Sequence, residues 1–199
     1  MQNDVPFLVP MPSLYIIGGP NGAGKTTLAR TLLPEYLKVV NFVNADSIAG
    51  ELSAYDPESV AIEAGRIMLR RIHELADAKE DFAFEAILAS KYFIQFVQDV
   101  KRSGYSVTLI YVWLKSVSLA LRRIRHRVAH GGHDVPKDVV RRRYERGMVN
   151  LRSSYLPLAE VWYVFDNSAA EPVLVAERQV DSEPVVHLVP VLKKVWEGA

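Results

Sequence analysis

The 199-residue sequence contains no cysteine. Disulfide staples, thiolate zinc sites and cysteine nucleophiles are thereby excluded. No uninterrupted apolar run approaches the roughly 18 residues that a membrane-spanning helix needs. The first 13 residues have no basic stretch ahead of an apolar one and are broken by Pro6, Pro10 and Pro12. They are expected to form a tail (1–13) rather than a secretory signal, and the chain is expected to be soluble and cytoplasmic, with no membrane partner. There is no internal repeat and no low-complexity segment. What is present, 49% hydrophobic and 24% charged residues, is ordinary globular composition, enough to bury a sizeable core.

The formal net charge of +1 hides an uneven distribution. Eleven Lys and Arg lie between Lys115 and Arg152 against three acids, a local net charge of +8, so the remainder is −7. A segment of that kind suits an anion, either nucleic acid or the phosphates of a small molecule. Composition alone leaves both open.

Apolar runs alternate with helical periodicity. Leu14 to Ile17, Val39 to Val43, Phe82 to Phe84, Val107 to Leu114 and Val161 to Phe165 read as buried strands. Between them, helices are expected from Thr26 to Leu33 (stopping near Pro34), from Asp56-Pro57 through Leu75, from Tyr92 to Arg102, from Ser116 to Val128, and from Pro136 to about Tyr155. Ala129 to Pro136 is expected as a loop. Short strands at Val173 to Glu177 and Val185 to Leu188, and a helix at Val191 to Trp196, close the chain. The pattern predicts an α/β fold with a mainly parallel five-stranded sheet, helices on both faces and a basic helical lid at about 127–143. The domain is expected over 14–178, with 179–199 as its C-terminal extension. In such sheets ligands sit at the carboxyl ends of the strands.

There, between the first strand and the first helix, the sequence reads Gly18-Gly19-Pro20-Asn21-Gly22-Ala23-Gly24-Lys25-Thr26-Thr27. Gly19 to Thr26 is G-x-x-x-x-G-K-T, a loop whose backbone N–H groups and helix N-terminus converge on phosphates. Lys25 is expected at the β- and γ-phosphates and the Thr26 hydroxyl at Mg²⁺. Gly19, Pro20, Asn21, Gly22, Ala23, Gly24 and Thr27 complete an ATP site. The wording resembles transporter ATPases, but no LSGGQ-type signature is present and the fourth strand ends without an acid; the Asn-Lys-x-Asp run of GTPases is also missing. A P-loop NTPase of the small-kinase type remains.

Asp46 follows the second strand and is a candidate general base for a hydroxyl that attacks the γ-phosphate; the alternative is a cap of the next short helix. Glu85, in an apolar run, has either a substrate or metal contact or an ion pair with a lid arginine. Arg122, Arg123, Arg125 and Arg127, then Arg141, Arg142 and Arg143, flank the glycine loop. Two or three are expected at phosphate, with Arg127 and Arg142 (or its neighbour Arg143) as candidates. His126, His130 and His133 lack a carboxylate motif, so a metal site on them is not expected. Asn167, in Asp166-Asn167-Ser168, is either an adenine contact or part of a simple turn.

Taken together, GGPNGAGKTT (18–27), FVNADSIA (42–49), AGRIML (64–69), FAFEAILAS (82–90), RVAHGGHDVP (127–136), RRRYERGMVNL (141–151) and VFDNS (164–168) resemble the zeta-toxin family of P-loop kinases, in family order over about residues 14–176. The resemblance implies transfer of the γ-phosphate of ATP to a hydroxyl of a UDP-N-acetylglucosamine-like sugar nucleotide. Lys25 and Thr26 would hold phosphate and Mg²⁺, Asp46 would act as base, Glu85 would contact substrate and the lid arginines would stabilise charge. It also implies a toxin–antitoxin setting with an antitoxin partner. Many relatives carry Thr after the glutamate; here Ala86-Ile87 follows, and Ser90 is the nearby hydroxyl. Two other readings are an ATP-binding regulatory protein without turnover and a 5′-hydroxyl kinase of nucleic acid. The second is disfavoured because Tyr144 is the main aromatic in the basic segment.

Overall fold

The structure is a computed structural model that describes residues 11–132 and 134–197. The expected tail therefore lies outside the described residues up to position 10, as does His133. Ser13, assigned to the tail from sequence, already belongs to the sheet: its N–H donates to Asp81 Oδ1 at 2.6 Å.

Among the described residues seven strands form one sheet: β1 (Ser13–Gly18), β2 (Asn41–Val43), β3 (Phe82–Ala86), β4 (Ser106–Trp113), β5 (Val161–Asp166), β6 (Val173–Arg178) and β7 (Val185–Val186). Their order is β2-β3-β1-β4-β5-β6-β7. The first five run parallel, and β6 and β7 add antiparallel strands to the edge of β5. The expected sheet of five is thus corrected to seven, because buried Val175 and Ala176 of β6 continue the core past β5.

The helices are α1 (Lys25–Thr31), α2 (Ala45–Leu52), α3 (Ala61–Asp77), α4 (Tyr92–Arg102), α5 (Val117–Ala129), α6 (Lys137–Asn150), α7 (Leu156–Leu158) and α8 (Val189–Glu197). Although the central strands are largely apolar, their alternate residues go to different partners. Leu14, Ile16, Phe82, Phe84 and Leu109 pack with Met68, Ile72 and Leu75 of α3 and Phe96 and Val97 of α4. Ile17, Ala83 and Ile110 face the opposite way, onto Ala29 and Leu33. Burying a Phe or Leu fully contributes about 1.5–3 kcal/mol, so these two layers hold the strand ends in place for the site.

Several boundaries shift. The first helix does not stop at Pro34; it continues as a π-helical stretch, Leu32–Leu37, whose wider turns accommodate a residue without an amide proton. Asp56 Oδ1 accepts the Ser59 N–H at 3.3 Å, but this closes a turn, and α3 starts only at Ala61. The helix expected to run to Tyr155 is α6 followed by a π-helical stretch, Leu151–Tyr155. No helix among the described residues is long and apolar enough to cross a membrane.

Candidate active site

Strand register brings the site residues to one edge. Ile17 stands opposite Glu85, and Gly18 opposite both Ala86 and Tyr111. The chain leaving β1 therefore turns back over the ends of β3 and β4. Gly19 (φ 147°) lies so close to β4 that a Cβ would stand 2.3 Å from the Val112 carbonyl oxygen. Gly24 caps α1 in the left-handed region (φ 84°), where L side chains are strained. Asn167 completes the cradle: its Nδ2 donates to the Ala23 carbonyl at 2.7 Å, and its N–H donates to the Trp113 carbonyl at 3.0 Å. Through these bonds Asn167 braces the loop against the end of β4. Asp166 Oδ1 accepts from the N–H of Ser168, as in the turn weighed beside it.

Behind the loop is a buried polar cluster. Lys25 Nζ donates to the Pro20 carbonyl at 3.1 Å and stands 3.5 Å from Glu85 Oε1. The side chains of Lys25 and Glu85 are 7% and 9% exposed. Burial lowers the pKa of Lys25, opposed by the carboxylates of Glu85 and Asp46 and reinforced by the nearby Arg127 guanidinium. Glu85 Oε2 accepts from the Thr26 hydroxyl and from Asn44 Nδ2, both at 2.7 Å. Of the two readings of Glu85, an ion pair is present, and its partner is Lys25. The carboxylate beside Lys25 thus comes from β3, which pairs with β1.

Asn44 was not anticipated. Its Oδ1 accepts the N–H groups of Asp46 (2.8 Å) and Ser47 (3.2 Å), capping α2 while its amide holds Glu85. The cap reading of Asp46 is therefore overturned, and Asp46 lies in the first turn of α2, where the helix dipole favours a carboxylate. An N-cap followed by an acid in the first turn is a signal the sequence offered at Asn44. Asn44→Ala is expected to cost about 2–4 kcal/mol in urea unfolding, the sum of a cap and a hydrogen bond to a charged group. A loss near 1 kcal/mol would reduce Asn44 to an ordinary cap.

Asp46 is exposed and borders three hollows. One, of about 260 Å³, lies over the P-loop and is lined by Asn21, Gly22, Gly24 to Thr27, Glu85, Arg123 and Arg127. A second, of about 480 Å³, opens beyond Asp46 and Glu85 between α3 and α4 and includes Ser90, Phe93, Arg66 and Arg143. The third, of about 340 Å³, has Arg127, Gly131 and Gly132 in its wall. Ser90 Oγ accepts the Tyr92 N–H at 3.2 Å, so its hydroxyl proton is available to the 480 Å³ cavity.

The candidate arginines are distributed unequally over these hollows. Arg127 reaches the P-loop hollow. Gly132 makes room for it, since a Cβ there would stand 2.5 Å from Arg127 Cγ. Arg142 is exposed and lies outside all three hollows, whereas half-buried Arg143 faces the larger cavity. Arg123, one turn before Arg127, also lines the P-loop hollow and donates to the Ala169 carbonyl at 3.2 Å. Its i, i+4 spacing from Arg127 was the available clue. Tyr144 is buried and donates to the Leu114 carbonyl at 2.5 Å, and Gly147 packs against Ile87, where a Cβ would lie 2.8 Å from the carbonyl oxygen. Those two residues seat α6 so that Arg143 points inward. Among the described residues no group of three or more His, Asp and Glu is placed to hold a metal ion.

The family model described as Zeta toxin matches residues 8–170. An uncharacterized protein of Haemophilus influenzae is 32% identical over 126 residues, which is 63% of this chain and 88% of that protein. Among solved structures, one from the PezAT chromosomal toxin–antitoxin system of Streptococcus pneumoniae superposes with a TM-score of 0.67 at 19% identity, covering 96% of this chain and 80% of that one. AvrRxo1-ORF1:-ORF2 with ATP gives a TM-score of 0.73 at 19% identity, covering 94% of this chain and 64% of that one.

Proposed function

The chain belongs to the zeta-toxin family, and from that premise we propose that it is an ATP-dependent phosphotransferase whose acceptor is a hydroxyl of a small molecule, of the UDP-N-acetylglucosamine type. The observation that carries this reading is the position of Asp46 between two hollows, one over the P-loop and one large enough for an acceptor. Ligand cavities span about 300–1,000 Å³, and the 480 Å³ cavity falls within that range.

In this reading the ATP phosphates lie along Gly19 to Thr27, on backbone N–H groups, with Lys25 Nζ turning from Glu85 to the β- and γ-phosphates. Arg123 and Arg127 approach from α5. The acceptor hydroxyl gives its proton to the Asp46 carboxylate as its oxygen forms a bond to the γ-phosphorus. The bond between that phosphorus and the β,γ-bridging oxygen breaks, and ADP leaves with the electron pair. The Thr26 hydroxyl and Glu85 Oε2 are hard oxygen donors of the kind Mg²⁺ takes, and their approach to 2.7 Å fits that ion. Bound there, Mg²⁺ would neutralise phosphate charge. Ser90 and Arg143 would bind the acceptor. The related structures come from a toxin–antitoxin system and a two-component complex, which supports a protein partner of antitoxin type for this chain as well.

The test is transfer of label from γ-labelled ATP to a panel of UDP-sugars, free sugars and a 5′-hydroxyl oligonucleotide. Label is expected on a small-molecule hydroxyl. Tight ATP binding with no transfer to any hydroxyl would overturn the kinase reading.

A further inference from the structure

The β2 strand closes one edge of the sheet, pairing with β3 on one side and with no other strand among the described residues. Along its open side runs a groove of about 640 Å³, lined without a break by Val40 to Asn44. A hollow lying over one face of a strand meets alternate side chains, because successive residues point to opposite faces. Contact with all three residues of β2 in succession, and with the residue on either side, means that this groove follows the strand's edge. There, unpaired backbone N–H and C=O groups form a template for another strand. Val40, 87% exposed, leads into it.

The walls of the groove are basic. Arg30 of α1 lines it, as do Arg70 and Arg71 of α3. The two helices cover opposite faces of the sheet, since Ala29 of α1 packs with Ala83, whereas Met68 and Ile72 of α3 pack with Phe82 and Phe84. Glu74 stands 3.9 Å from Arg70 and 3.3 Å from Arg71. Three guanidinium groups against this one carboxylate leave the groove positive. A strand added to β2 would therefore direct its alternating side chains to Arg30 on one face and to Arg70 and Arg71 on the other.

We infer that this edge docks an extended, acidic segment of a partner protein, which joins the sheet as an eighth strand and carries carboxylates on both of its faces. Nucleic-acid phosphates would use the arginines but not the open backbone edge or the apolar side chains of Phe42 and Ile67 in the lining. The groove also reaches Thr26 and Asn44, so its occupant would touch the rear of the residues that hold Glu85.

The probe is a fluorescein-labelled nine-residue peptide with two Glu-Glu pairs separated by Val, read by anisotropy and hydrogen exchange on the full chain. Saturable binding is expected, with slowed exchange at residues 40–43. Arg30→Glu and Arg71→Glu should each weaken binding about tenfold, or ~1.4 kcal/mol, as should Gln in place of the peptide's Glu. Lys193→Glu, an equal charge change on α8, should leave it unchanged. If one of the arginine variants fails to fold, the Gln peptide and the exchange map still decide. No binding, equal loss with Lys193→Glu, no protection at 40–43, or tighter binding of a single-stranded oligonucleotide would each overturn the inference.

Discussion

Replacing Asp46 by Asn is expected to lower turnover about 10²–10⁴-fold, the range for losing a positioned general base, while ATP affinity stays within about threefold, a change of ~0.6 kcal/mol. The split follows from geometry. Asp46 is exposed at the seam between the P-loop hollow and the larger cavity, and it makes no hydrogen bond through its carboxylate among those that hold the cluster together. Its backbone N–H, which does bond to Asn44 Oδ1, is unchanged by the substitution. The fold and the phosphate cradle should therefore survive, and only the group that receives the hydroxyl proton is lost. Single-turnover transfer with the variant, alongside calorimetric ATP titration, measures the two quantities separately. Equal turnover in both proteins would remove Asp46 from the role of base.

Lys25→Met carries the second large effect, an expected loss of about 10²–10³ in turnover, the scale of a single electrostatic group acting on developing charge. Unlike the Asp46 variant, it should also weaken ATP binding. Its cost in stability is expected to be below the ~3–5 kcal/mol of breaking a buried ion pair by removing one partner. Two observations set that ceiling. Burial already opposes the charge on Lys25, as its lowered pKa records. Glu85, left behind, keeps the Thr26 hydroxyl and the Asn44 amide at 2.7 Å. Urea unfolding of the variant measures this directly, and a loss above 5 kcal/mol would mean that Glu85 depends on the lysine alone.

The sequence made the parallel core legible because each strand from β1 to β5 is a short apolar run followed by residues of another character, and because Gly19 to Thr26 admits few other readings. It did not show which strand supplies the acid beside the P-loop. That depends on the order β2-β3-β1-β4-β5, which puts β3 next to β1 even though many residues separate them. The same long-range pairing set the partner of Glu85. Helix phase was the other blind spot: three successive arginines, Arg141 to Arg143, are indistinguishable in sequence, and only the burial of Tyr144 and the close approach of Gly147 to Ile87 decide that Arg143 faces inward. Tyr144 itself, the main aromatic available for stacking on bases, is committed to the Leu114 carbonyl. That leaves the nucleic-acid reading without its ring.

The most direct measurement is a crystal structure with Mg²⁺ and a non-hydrolysable ATP analogue. Lys25 Nζ should be found on the terminal phosphate instead of Glu85, with Thr26 Oγ1 at the cation and the Asp46 carboxylate turned toward the face of that phosphate opposite the bridging atom. An analogue seated elsewhere, or Asp46 directed away from the terminal phosphate in a fully loaded site, would contradict the account.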